Sequence, residues 1–159
     1  SKIFNPIVIA ILFATIIIFI GCTDQYENHA LAFRNNTQDS IQVDRYYPNT
    51  IKPRTTMIGP DEYGKFFETS SDLWITPSVE LENSCDSLII SGLKNDEPFQ
   101  IFFTSNKTEG YSCSPYNANA DWLLEVYVTE EPKFLGKTLE RFNVHIFEIN
   151  LSCIISEVN

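Results

Sequence analysis

Apolar and polar residues alternate along several short runs of this chain, and this alternation limits its possible folds more than any other feature. Ile41 and Val43, for example, alternate with Gln42 and Asp44. Successive side chains of a β-strand point to opposite faces of a sheet, so such runs predict strands with one buried face. We therefore expect a fold built of short strands rather than of long helices.

Turn-forming residues separate the alternating runs. Residues 35–39 carry Asn, Thr and Asp between two such runs, which predicts a β-hairpin. The predicted strands cover residues 29–34, 40–46, 55–58, 74–82, 87–91, 99–104, 122–129 and 143–155. Periodicity does not decide between helix and strand for residues 61–69, and only residues 130–141 are a candidate for a longer helix.

The composition also favours sheet. Aromatic residues make up 13% of the chain, with 12 Phe, 7 Tyr and 2 Trp, and aromatic side chains pack well on a pleated surface. Seven or eight strands joined by turns must bury their apolar faces against one another, which predicts two packed sheets. We predict an all-β fold, a two-sheet antiparallel β-sandwich that is immunoglobulin-like or of a related Greek-key type.

The chain is acidic, with 21 Asp and Glu residues against 11 Lys and Arg residues and a formal charge of -10 at pH 7. The charges are scattered rather than collected in runs, as on an ordinary solvated surface. A domain of this charge has no electrostatic attraction to nucleic acid or to anionic lipid head groups. We therefore expect no nucleic-acid partner.

No group of residues has the spacing of a catalytic site. His29 and His145 lie in apolar strand runs, where a buried and hydrogen-bonded histidine is a simpler interpretation than a catalytic base. Glu80 and Glu82 would share one face of a strand, as a small exported hydrolase of glycosidase type needs. That hydrolase is the alternative to the non-catalytic protein that we predict.

Metal-binding patterns are equally weak. The sequence holds no Cys-x-x-Cys pair, which argues against a zinc site. Asn117, Asn119 and Asp121 have the spacing of the first three ligands of a calcium-binding loop. However, Trp122 occupies the next position, where such a loop requires glycine. We expect neither a metal nor a cofactor.

Aromatic residues near predicted loops are the best indication of a binding function. Four tyrosines have this position: Tyr46, Tyr47, Tyr111 and Tyr116. Aromatic rings stack on sugar faces and anchor protein interfaces, so tyrosines that cluster would form a site for a glycan or an envelope protein. Trp74 and Trp122 are expected in the core, because tryptophan is well buried on average.

Three cysteines follow Cys22 in the sequence, and three thiols allow one disulfide with one thiol left over. The preferred pair is Cys85 with Cys113, because Cys153 lies in an apolar run where a buried free thiol is comfortable. Spacing does not fix the connectivity, so the other pairings stay open.

The amino-terminal segment has the pattern of an export signal. Residues 7–20 are apolar except for Thr15, they follow Lys2, and polar residues begin directly after Cys22. A helix needs roughly 20 apolar residues to cross a bilayer, so this run predicts a cleaved signal peptide. An uncleaved hydrophobic anchor is the alternative.

The tetrad Phe19-Ile20-Gly21-Cys22 resembles the bacterial lipobox. The resemblance implies that a diacylglycerol is attached to the thiol of Cys22, that the leader is cleaved before it, and that the new amino terminus is acylated. Two or more acyl chains hold a protein stably on a membrane. The expected organisation is a signal peptide at 1–21, a lipidated end and polar leash at 22–28, and a β-sandwich domain at 29–159.

Two short patterns resemble the acceptor for O-glycosylation in exported proteins of the Bacteroidetes, and they imply modification of Ser40 and Ser87. Residues 30–43, the region of Trp74 and residues 86–90 resemble small envelope lipoproteins of that phylum, a likeness that implies no activity.

We predict a lipid-anchored envelope protein outside the cytoplasm, expected on the outer membrane, with a binding or structural role. An adhesion subunit is a further possibility, because Pro77 would mark an exposed sheet edge for strand exchange.

Overall fold

A computed structural model describes residues 23–70, 73–105, 113–133 and 136–150. They form eight strands and one short helix, with the bounds β1 Thr23–Asn35, β2 Ile41–Tyr46, β3 Arg54–Ile58, β4 Tyr63–Ser70, α1 Pro77–Ser84, β5 Ser87–Lys94, β6 Glu97–Thr104, β7 Trp122–Pro132 and β8 Lys137–Ile149. The strands make two four-stranded sheets: sheet A in the order β4-β1-β8-β7, and sheet B in the order β3-β2-β5-β6. The predicted all-β sandwich of seven or eight strands is confirmed.

One central pair of strands runs parallel. β1 and β8 lie side by side in the same direction, from the pair Thr23 and Lys137 to the pair Asn35 and Ile149. The other paired strands of both sheets are antiparallel. The sandwich is thus mostly antiparallel, as predicted, with one parallel pair. Alternation along a strand shows which face is buried but not the direction of the neighbouring strand, so it could not indicate this pair.

Alternate residues of both sheets meet in one core. Its largest fully buried side chains include Phe33, Leu31, Ile41, Leu88, Ile90 and Phe103. Phe33 of sheet A stacks on Phe66, with 4.5 Å between the ring centroids, and packs edge-on against Phe147 at 6.2 Å. These contacts fix the inner face of sheet A, on which every second residue of β1 and β8 lies.

The strand predicted at 74–82 is wrong, because residues 77–84 form a helix, the only one in the described part of the chain. Pro77 stands in the first turn of α1, where a missing amide hydrogen has no cost, and Leu81 is buried in the core. Pro77 therefore marks a helix start rather than a sheet edge. Glu80 and Glu82 are separated by about 200° around the helix axis, so the predicted carboxylate pair on one face is wrong.

The helix candidate at 130–141 is also wrong, because residues 130–132 end β7 and residues 137–141 begin β8. The amide of Lys133 donates to the carbonyl oxygen of Gly136 at 3.1 Å. Gly136 has φ 94, a backbone conformation that glycine adopts without a steric cost. The undecided stretch at 61–69 contains most of β4.

Strand β1 begins at Thr23, so the predicted leash at 22–28 is wrong from its second residue onward. Its first residues extend the sheet because they pair in register with β8, for example Tyr26 with Glu140. Cys22 lies outside the described residues. Among the residues that are described, no helix is long and apolar enough to cross a membrane.

Candidate binding cleft

The predicted tyrosines do not form one cluster. Tyr116 is buried, its hydroxyl donates to the carbonyl oxygen of Cys85 at 2.9 Å, and burial raises the pKa of that hydroxyl. Tyr46 is half-buried at the end of β2, and its carbonyl oxygen accepts the amide of Asp86. Tyr111 lies outside the described residues. Of the three tyrosines that the structure describes, Tyr47 alone lines the cleft described next.

A cleft of about 400 Å³ lies where the end of β2 meets the edge strands β3 and β4. Three of its lining residues are basic, three are aromatic and one is acidic: Arg45, Arg54 and Lys65; Tyr47, Phe66 and Phe67; and Glu68. The whole chain has only 11 basic residues against 21 acidic ones. This cleft therefore gathers positive charge in a protein that is negative overall.

Arg45 is the most buried cation of the cleft, with 8% of its surface exposed. Its guanidinium lies over the ring of Phe66, with Cζ 5.7 Å from the centroid. Nη2 donates to Oγ1 of Thr56 at 2.9 Å, and Nε donates to the carbonyl oxygen of Arg54 at 3.4 Å. These partners are neutral groups, and they position the guanidinium without neutralising it.

No carboxylate within the described ranges forms an ion pair with Arg45. Removing a charge from water is unfavourable unless an opposite charge or several hydrogen bonds compensate it. The cation–π contact with Phe66 and two hydrogen bonds supply part of that compensation. The guanidinium therefore keeps the capacity to bind an anion that enters from the solvent.

Arg54 and Tyr47 form the outer wall of the cleft. The Arg54 guanidinium lies over the Tyr47 ring at 4.9 Å, and in the described part of the chain it too forms no ion pair. A turn fixes the backbone here, because the Tyr47 amide donates to Oγ1 of Thr50 and the Thr50 hydroxyl donates to the Tyr47 carbonyl oxygen.

The single acidic residue of the cleft does not cancel this charge. Lys65 pairs with Glu68 at 3.3 Å, and its ammonium also donates to the Tyr127 hydroxyl at 3.1 Å. The bond to Tyr127 and then the contact with Glu68 raise the pKa of Lys65, which stays charged. With Lys65 and Glu68 compensating each other, the two guanidiniums remain as the net charge of the cleft.

The predicted disulfide between Cys85 and Cys113 is wrong. Cys85 is a free, buried thiol whose Sγ lies 3.4 Å and 3.2 Å from the carbonyl oxygens of Tyr46 and Ser87. Cys113 is disulfide-bonded, so its partner is a cysteine outside the described ranges. Burial raises the pKa of the Cys85 thiol, which makes it a poor nucleophile.

The two histidines are buried, as expected, but His29 lacks the expected hydrogen bond. The His29 and His145 rings stack at 5.8 Å, and both ring nitrogens of His29 and Nε2 of His145 have no hydrogen-bond partner in the described structure. Trp74 packs edge-on against both rings, yet 64% of it is exposed, so its predicted core position is wrong. Trp122 is half-buried against the core.

The other predicted sites are dispersed. Ser40 is exposed in the loop before β2, whereas Ser87 is half-buried and pairs with Tyr46 and Thr104 in sheet B. Ser40 is therefore the more accessible of the two predicted glycosylation sites. No group of three His, Cys, Asp or Glu side chains that could hold a metal occurs in the ranges that are described.

Sequence reasoning found Tyr47 but missed Arg45 and Arg54. A usable signal was present, because Arg45 follows Ile41 and Val43 at the same period of two and so occupies a position on the buried face. Comparison of the chain with protein-family models, with curated proteins and with solved structures finds no match of significance in any of the three.

Proposed function

We propose that this chain is a lipid-anchored, non-catalytic binding module of the cell envelope, and that its cleft takes an anionic glycan. The observation that carries the proposal is the buried guanidinium of Arg45, which has no carboxylate partner among the described residues. A planar guanidinium matches a carboxylate through two parallel hydrogen bonds. The neighbouring Tyr47 supplies an aromatic ring, the group that commonly packs against sugars.

The net charge of the chain favours one kind of acidic glycan. A chain with a formal charge of -10 repels a dense polyanion more strongly than a single carboxylate. Salt screens the repulsion of a single carboxylate by charges more than about 8 Å away at physiological ionic strength. We therefore expect a glycan with well-separated uronate groups rather than a heavily sulfated one. The cleft has one carboxylate, Glu68, and it is paired with Lys65. A hydrolase of glycosidase type needs two carboxyl groups, so this composition supports binding rather than hydrolysis.

Binding of a hyaluronan hexasaccharide, which carries one uronate in each disaccharide, tests this proposal. We expect residues 23–159 to bind it in a calorimetric titration, and to bind neutral maltohexaose or a heparin hexasaccharide much more weakly. Arg45→Met should weaken binding at least tenfold, because a hydrogen bond to a charged group contributes about 1.5–3 kcal/mol. Arg141→Met removes the same charge from an exposed position of β8 and should leave binding unchanged. Equal affinities of the two variants would contradict the proposed site.

The proposed anchor also predicts the partner of Cys113. A sulfur in a thioether to diacylglycerol cannot form a disulfide, and Cys85 is a free thiol, so lipidation of Cys22 leaves Cys153 as the partner. We expect peptide mapping under non-reducing conditions to recover Cys113 joined to Cys153. Recovery of Cys113 joined to Cys22 would contradict the lipid anchor.

A further inference from the structure

Strand β7 is an edge of sheet A that is exposed along its length. Its 11 residues pair with β8 on one side only, and each residue after Trp122 is exposed. Apolar side chains lie on both of its faces: Leu123 and Tyr127 on the outer face, and Leu124, Val126 and Val128 on the inner face. A long apolar edge with unpaired backbone groups is a template for another strand.

The other three edges of the sandwich have features that oppose strand addition. β4 pairs with β1 through a bulge and carries Lys65 and Glu68. β3 has only five residues and begins with Arg54. β6 begins with a charged residue followed by Pro98, which cannot donate a backbone hydrogen bond. The middle of β7 has neither a bulge nor a proline, and its one charged residue, Glu125, is paired with Arg34.

The charges on β7 are mostly compensated. Glu125 bonds to Arg34, and Glu130 pairs with Lys137 at 3.1 Å. Glu131, next to the end of the strand, forms no ion pair with the described residues. The edge is thus apolar in its middle and acidic at the end near the hairpin, within a chain of charge -10.

We propose that β7 binds an extended segment of a partner protein, which adds as a fifth strand to sheet A. Apolar groups on both faces of the edge favour a segment of β-branched residues, which pack well on either face of a sheet, and the charge of the chain favours a segment with basic rather than acidic ends. A second copy fits less well. Antiparallel pairing of β7 with itself would place the two Thr23 ends at opposite ends of the joined sheets, and the proposed lipid anchors require them on one membrane.

A nine-residue peptide with the sequence Lys-Val-Thr-Val-Thr-Val-Thr-Val-Lys is the probe. We expect it to bind the chain and to slow amide hydrogen exchange within β7. The same peptide with alternate amides N-methylated keeps its side chains but loses its donors on one edge, and should not bind. A version with glutamate at both ends should bind more weakly.

Two lysine variants provide the matched control on the protein. Val126→Lys places a charge in the middle of β7, and Phe102→Lys places the same charge on β6, where the side chain is 47% exposed. We expect only Val126→Lys to reduce peptide binding, at least tenfold, with both melting temperatures close to that of the parent. The proposal is overturned if the peptide does not bind, if the N-methylated peptide binds equally well, or if sedimentation shows a dimer that Val126→Lys dissociates.

Discussion

Replacement of Cys22 by alanine is expected to abolish incorporation of a labelled fatty acid into this protein and to leave the leader attached. The lipobox resemblance predicts that the acyl donor reacts with the thiol of Cys22 and that cleavage follows this reaction. Metabolic labelling in the native host, followed by the intact mass of the purified chain, measures both effects. This is an all-or-none result, which makes it the largest effect expected for a single substitution in this chain.

Cys85→Ala is the matched control for this experiment, because it also removes one cysteine and Cys85 is a free, buried thiol. The Cys85→Ala protein should incorporate label to the same extent as the parent and lose its leader. Label in the Cys22→Ala protein, or loss of label from both variants, would rule out acylation at the predicted position. Proteolysis of intact cells then reports whether the domain faces the medium.

Acidification from pH 7 to pH 4 is expected to lower the free energy of unfolding by about 3 kcal/mol through His145 alone. Burial, and then the neighbouring His29, lower the pKa of His145 from 6.5 to about 4. Between these two values the unfolded chain binds more protons than the folded one. Stability is therefore lost as the pH falls through this window, and the loss is complete below the folded pKa.

The surroundings of the two rings support a loss of stability as the pH falls. Trp74 covers both rings, the His145 ring stacks on that of His29, and neighbouring strand positions on the inner face carry the neutral side chains of Leu31 and Asn143. The charged residues nearby on this face are Glu27, whose carboxylate is 3.9 Å from His29, and Arg141, which is exposed on β8. Neither of these two residues forms an ion pair with His145.

Urea unfolding at pH 7, 6, 5 and 4, followed by the fluorescence of Trp74 and Trp122, measures the effect. His145→Phe replaces the imidazole by a ring of similar size that does not titrate, so it should remove about 3 kcal/mol of the pH dependence. Carboxylates that titrate near pH 4 affect both proteins and cancel in the comparison. An unchanged pH dependence in His145→Phe would show that another group is responsible.

The two-layer fold could be predicted from the sequence because apolar and polar residues alternate in strands that bury one face. In β2, burial alternates strictly from Ile41 to Tyr46, as the pattern of apolar residues predicts. The segments that were mispredicted lack this signal. Residues 130–141 are divided by a turn at Gly136, and residues 77–84 form a helix whose burial depends on the sheets around it.

The cleft was only partly predictable, because its residues meet through long-range pairing. Arg45 lies near the end of β2 and Tyr47 directly after it, Arg54 begins β3, and Phe66 lies on β4 of the other sheet. A local pattern identifies each residue as exposed or buried but does not indicate that their side chains converge. Tyr116 was expected to be a binding residue because it is near a predicted loop, but its side chain is buried in the core. Its hydroxyl donates a hydrogen bond to the carbonyl oxygen of Cys85 there.

In the proposed complex, the guanidiniums of Arg45 and Arg54 bind the carboxylate of an acidic glycan. The chain contains four arginines, and each gives its own Nε–Hε resonance when arginine is labelled with nitrogen-15: Arg34, Arg45, Arg54 and Arg141. On titration of residues 23–159 with the hyaluronan hexasaccharide, we predict that the signals of Arg45 and Arg54 shift in a saturable manner while those of Arg34 and Arg141 do not. Shifts confined to Arg34 and Arg141, or no shift of any of the four, would contradict this account.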